Sequence, residues 1–178
     1  MTCYAPISYI SAVVMLLMQG VSDGSQPLIS LAYGEGKHDT TKAVRDLAYR
    51  FAFGVAVVCS VVLFLLRGSA AHLFGASEQV TMLVAQILPI FIIGFVFVSV
   101  SRVTTAYFYA TGKNLWAYIL IYGEPLTLCI LLLILPNAMG SVNGTWVSVP
   151  LSQIIAMLLS LLLIHKNRTL EHQLPSHE

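Results

Sequence analysis

Three ionisable side chains stand alone in long uncharged stretches, and they define the chemistry open to this chain. Asp23 is the only charge between Met1 and Gly34, Arg102 the only one in residues 79–111, and Glu124 the only one in residues 114–165. One cation and two carboxylates cannot neutralise one another, so one carboxylate is left to bind a proton or another cation. Polar neighbours at helical spacing accompany them. Gln19, Ser22, Asp23, Gln26, Ser30 and Tyr33 recur at steps of three and four, and Ser99, Arg102, Thr105 and Tyr109 form a second such stripe. Polar stripes on otherwise apolar helices turn toward a neighbouring helix or a wet cavity, because unpartnered polar groups in hydrocarbon are costly. Gly20, Gly24 and Pro27 either let another helix approach closely or free backbone carbonyls. The candidate substrate- and cation-binding residues are therefore Asp23, Gln26, Arg102, Thr105, Tyr109 and Glu124. The competing reading makes Arg102 and one acid a structural pair, with the other acid protonated and Gln19, Ser22 and Ser30 serving helix packing. Tyr107 and Tyr109 lie toward a helix end, where aromatic belts are the ordinary explanation.

These residues need membrane-spanning elements to hold them. The 178 residues are 57% hydrophobic and 10% charged, whereas soluble chains carry about 25% charged residues. A mean hydropathy of +0.83 leaves too little polar surface for a water-soluble globule. A net charge of +1 provides no basic field for nucleic acid. Cys3, Cys59 and Cys129 lie in apolar runs without metal-ligand spacing and read as small hydrophobes. A helix needs about 20 apolar residues to cross a bilayer, and the uncharged runs predict five spans, at about 4–33, 44–66, 79–111, 115–135 and 145–165. The last two are divided by the turn-forming cluster from Pro136 to Gly144. Together they form one all-α transmembrane domain over residues 1–178, closed by a cytoplasmic tail at 166–178. Runs such as Leu126 to Leu135 do not alternate as β-barrel strands must.

Five spans place Lys37, Lys42, Arg45, Arg50, Lys113, Lys166 and Arg168 on one side and only Arg67 on the other. Because Lys and Arg accumulate in cytoplasmic loops, this puts the C-terminus inside and the N-terminus outside a multi-pass cell-membrane protein. The first basic residue is Lys37, so the start is not a cleavable signal peptide. An outside start within a helix implies a missing preceding span and a partial chain. At 1.5 Å per residue, Asp23, Arg102 and Glu124 each lie about 14–16 Å from the cytoplasmic ends, near the middle of a core about 30 Å thick.

Weaker patterns fall away. Gly34-Glu35-Gly36-Lys37 has Leu31 and His38 where a phosphate loop needs Gly and Ser or Thr. Asn143-Gly144-Thr145 is a short glycosylation triplet of the kind chance supplies. The five histidines form no pair on a helix face, and no arrangement suggests catalysis in water. The chain is not expected to be an enzyme or to need a resident cofactor.

The stretch from Gly20 through Ser22-Asp23-Gly24-Ser25-Gln26-Pro27 to Tyr33-Gly34-Glu35-Gly36-Lys37 resembles the signature of multidrug and toxic compound extrusion (MATE) transporters. There it closes the second helix of the C-terminal six-helix lobe. Ala43-Val44-Arg45 resembles the start of that lobe's third helix, and Thr105-Ala106-Tyr107-Phe108-Tyr109-Ala110-Thr111-Gly112-Lys113 the end of its fourth. The resemblance covers nearly the whole chain but under half of the family's twelve-helix architecture. It implies efflux of amphipathic, often cationic compounds by antiport against H⁺ or Na⁺, with alternating access between two lobes. It also implies a missing N-terminal lobe or partner half. Members with a cation site in this lobe carry acids on its first and fourth helices, whereas Gly94 to Tyr107 here holds Arg102 and no carboxylate. Asp23 and Glu124 are therefore not copies of that site. The alternatives are a lipid-linked oligosaccharide flippase of the same superfamily, for which Arg102 is the one cavity cation, and a truncated membrane protein without transport of its own.

Overall fold

The structure, a computed structural model, describes residues 4–69, 77–140 and 143–173; Cys3 lies outside them. It contains five helices in chain order, α1 Tyr4–Gly34, α2 His38–Leu66, α3 Glu78–Ala110, α4 Asn114–Met139 and α5 Asn143–Gln173. All five are long and apolar enough to cross a membrane, and the described residues hold no strand. The protein is thus an all-α, multi-pass membrane bundle. Three ends differ from the sequence expectation. Helix α4 runs through Pro136 to Met139 instead of stopping at 135, so the turn is confined to the stretch from Gly140, whose φ is +59°. Helix α2 starts six residues before 44, at His38, where Asp39 in the first turn complements the helix dipole. Helix α5 runs on to Gln173 rather than giving way to a tail at 166, since Lys, Arg and Leu beyond it are good helix formers.

Helix α3 is the hub. Helices α1, α2, α4 and α5 all pack on it, α1 also packs on α2, and α4 on α5. Lipid offers no hydrophobic drive for helices to associate, so close contact must come from small residues and interhelical bonds. Helix α2 meets this need with Ala48, Ala52 and Ala56, buried at steps of four. Ala48 and Ala52 pack with Val103 of α3, and the Tyr49 hydroxyl lies 2.7 Å from Thr104 Oγ1. On the other side of the hub, Gly94 sits beneath α5. A side chain there would place its Cβ 1.7 Å from Gln153 Oε1 and 3.4 Å from Pro150 Cα.

The turns at the basic end share one design. Tyr33-Gly34-Glu35-Gly36-Lys37 and Tyr109-Ala110-Thr111-Gly112-Lys113 both read Tyr-x-x-Gly-Lys. In each, the glycine takes a left-handed φ, +70° at Gly36 and +72° at Gly112, and the lysine amide reaches back five residues. Lys37 N–H donates to the Ala32 carbonyl at 3.0 Å, and Lys113 N–H to that of Phe108 at 2.8 Å. These are Schellman caps, which satisfy carbonyls that a helix end leaves without partners. The α4–α5 connection is tight for another reason: a Cβ on Gly144 would stand 2.8 Å from the Leu135 carbonyl. Gly144 thus serves helix crossing, and the Asn143 side chain of the glycosylation triplet lies outside the described residues.

Candidate functional site

Glu124 and Arg102 meet where α4 lies on α3. Arg102 Nη2 is 3.7 Å from Glu124 Oε2, and the side chains are 35% and 21% exposed. Glu124 lies one turn beyond Leu120, which with Ala117 is a buried contact residue of α4, and this turns its carboxylate toward the packed face. Around the same face of α3, Thr105 Oγ1 donates to the Ser101 carbonyl at 2.9 Å. The Tyr109 ring meets Tyr118 of α4 edge-on at 6.0 Å. Arg102, Thr105, Tyr109 and Glu124 therefore gather along one α3–α4 seam. Ser99, the fourth member of the α3 stripe, is buried and donates to the Val96 carbonyl at 2.7 Å.

Asp23 stands apart from this pair. It is exposed, and its Oδ1 accepts a 2.8 Å hydrogen bond from Gln19 Nε2 one turn away. Among the described residues it forms no ion pair. Its direction follows from its neighbours. Val21 packs against α2 beside Ala48 and Ala52, and Asp23 is about 200° further round the helix at 100° per residue. Arg102 is likewise about 200° from Thr104, the α3 residue that meets Tyr49 of α2. The Asp23 flank of α1 and the Arg102 face of α3 both turn away from α2.

The α1 stripe divides between two roles. Gln19, Asp23 and Ser30 are exposed and Gln26 and Tyr33 half-buried, but Ser22 is 2% exposed within the packed face. Of the two readings of Gly20 and Gly24, close approach of another helix does not occur among the described residues, since a Cβ on either would meet nothing within 4 Å. Close approach occurs at Gly94 and Gly144 instead. Sequence reading missed the Gly94–Gln153 contact, because one glycine in an apolar run has no periodic signal and its partner lies in another span. Tyr118 was also missed, although its spacing of four from Tyr122 was visible and their rings lie 6.5 Å apart.

The basic end is braced by cations. Arg45 is 3% exposed; it donates to Asp46 Oδ1 from Nε at 3.0 Å and Nη2 at 2.8 Å and lies 5.2 Å from the centre of the Tyr107 ring. Lys113 bonds Asn167, and Lys166 lies over Trp116 at 5.5 Å. These contacts tie α2 to α3 and α5 to the start of α4. They account for the Arg45 and Gly-Lys parts of the recognised signature as structural supports. No group of three or more His, Cys, Asp or Glu side chains suited to a metal occurs among the described residues.

Compared with known families, residues 4–130 match the MatE family model. No curated protein and no solved structure gives a significant match. The match covers all three signature stretches and the positions of Asp23, Arg102 and Glu124, and the family consists of transporters rather than enzymes. The chain belongs to the MATE family and is a multi-pass membrane transporter protein of that family.

Proposed function

We propose that this chain supplies five helices of the C-terminal lobe of a cation-coupled exporter in the cell membrane, with its basic end and C-terminus in the cytoplasm. Asp23 is the carboxylate that exchanges H⁺ or Na⁺. Gln26, Thr105 and Tyr109 line the path of an amphipathic cationic compound, and the Arg102–Glu124 pair holds α3 against α4 while keeping the path near neutral. The remaining lobe, or a partner half, faces the polar flank of α1 and closes the cavity.

One observation carries this reading: Arg102 is engaged by Glu124 at 3.7 Å, while Asp23 has only the neutral amide of Gln19. A paired carboxylate has little reason to take up a cation. An unpaired one near the middle of the bilayer is costly as a bare charge and gains by binding a proton or Na⁺. Each cation moved inward contributes about 2.3 kcal/mol per 100 mV of membrane potential. A flippase acting on a pyrophosphate would favour a free cavity cation, and the engagement of Arg102 ranks that reading lower.

The test uses the full-length protein in proteoliposomes loaded with an ethidium-like dye. Under an imposed H⁺ or Na⁺ gradient the wild type should expel dye, and Asp23→Asn should not. Efflux by Asp23→Asn at the wild-type rate would remove Asp23 from the mechanism. Single cysteines at Gln26 and Thr105 should react with aqueous thiol reagents. Protection of both in every state sampled would overturn their placement in the path.

A further inference from the structure

A second polar feature lies on the opposite side of the hub from the acids. Helices α2 and α5 both lean on α3, and between them is an open groove of about 540 Å³ whose apolar lining includes Phe53, Val100, Leu161 and Ile164. Its rim carries Asp46, Arg50 and His165. The volume falls among those of small-molecule sites, about 300–1,000 Å³.

The rim residues share one level in the membrane. Arg50 precedes the charge-free run 51–66 of α2, and His165 closes that of α5, which Lys166 ends. Both therefore mark the boundary between hydrocarbon and headgroups at the basic end. The charge of Asp46 is matched by Arg45, whose Nη2 lies 2.8 Å from its Oδ1, and among the described residues Asp46 makes no ion pair with Arg50. Arg50 is exposed and forms no ion pair among the described residues. His165 is also exposed and supplies a ring N–H. A free guanidinium and an imidazole thus stand at headgroup height beside an apolar groove that Phe53, Val100 and Leu161 line.

We propose that this groove binds one anionic phospholipid of the leaflet at the basic end. Its phosphate sits on Arg50 and His165, and one acyl chain lies between α2 and α5 against Phe53, Val100 and Leu161. Guanidinium and phosphate make the strong, charge-assisted bonds that fix a headgroup, and basic pockets between helices at this level suit such lipids. A free anion would use the rim and leave the apolar groove empty. The lipid uses both and wedges α2 and α5 at a fixed spacing across α3.

The experiment is native mass spectrometry of the full-length protein, titrated in detergent with phosphatidylglycerol or phosphatidylcholine of matched chains, alongside inorganic phosphate. The wild type should retain phosphatidylglycerol over phosphatidylcholine. Arg50→Gln should weaken that retention about fivefold, the effect of one juxtamembrane cation. Leu161→Trp, which fills the groove and leaves the rim intact, should displace phosphatidylglycerol while Arg50 remains. Retention unchanged in Arg50→Gln would overturn the proposal. So would phosphate that competes fully with the lipid while Leu161→Trp has no effect, which would make the rim a simple anion site. Both variants alter exposed or rim positions, and an unchanged elution volume and unfolding temperature establish that each is folded.

Discussion

The two sides of α3 treat polar groups in opposite ways. Toward α4 and α5, Glu124 meets Arg102, and the buried side chain of Gln153 lies over Gly94. On α1, Asp23, Gln19 and Ser30 are exposed on the flank turned away from α2. The first side pairs its charges across helices, and its buried Gln153 Oε1 has no hydrogen-bond partner among the described residues. The second leaves the Asp23 carboxylate with only the Gln19 amide as its hydrogen-bond partner and without an ion pair among the described residues.

The largest effect should come from the closed side. In Gly144→Ala the new Cβ meets backbone atoms of Leu135 and Pro136 at 2.8 Å, and backbone yields less readily than a side-chain tip. A loss of about 3 kcal/mol is expected, at the upper end for overpacking, read as a lower midpoint in denaturant titration of the detergent-solubilised protein. Glu124→Ala comes next. Removing the acid strands Arg102 in a partly buried seam, which should cost about 2 kcal/mol, between the values for exposed and fully buried pairs. Adding Arg102→Ala should recover part of it. A double-mutant cycle with no coupling would mean that the contact does not brace α4. Gly94→Ala should cost about 1 kcal/mol, because the clash at 1.7 Å is with the tip of Gln153, which is flexible but has little room. Gln153→Ala should relieve most of it.

The open side should contrast with all three. Asp23→Asn removes no ion pair among the described residues and keeps an acceptor for Gln19, so stability should change by less than about 0.5 kcal/mol. A large loss of stability would place Asp23 with the structural polar groups and erase the contrast between the two sides.

Much of this architecture was legible in the sequence because charge is expensive in lipid. Each charge-free run became one helix, and the lone charges marked the positions that needed partners. Helix ends were less legible. The first turns of α2 are as charged as a loop, and the basic stretch after His165 reads equally well as tail or helix. The α1 stripe was visible as a set, but steps of three and four spread over a wide arc, which left Ser22 inside the packing and Asp23 outside it. Which acid Arg102 meets was not legible, since depth along a helix says nothing about which helices touch. The shared Tyr-x-x-Gly-Lys caps were present in the letters, yet their meaning needed the positive φ of Gly36 and Gly112.

The division of labour between the two acids is tested most directly by counting coupled cations. Proteoliposomes of the full-length protein containing a pH- or Na⁺-sensitive dye report cation flux when an expelled compound is added. Flux coupled to the compound should persist in Arg102→Gln/Glu124→Gln, where the pair is replaced by two neutral amides, and should vanish in Asp23→Asn. Coupled flux that survives in Asp23→Asn and is lost in the double variant would contradict the account and assign the cation to Glu124.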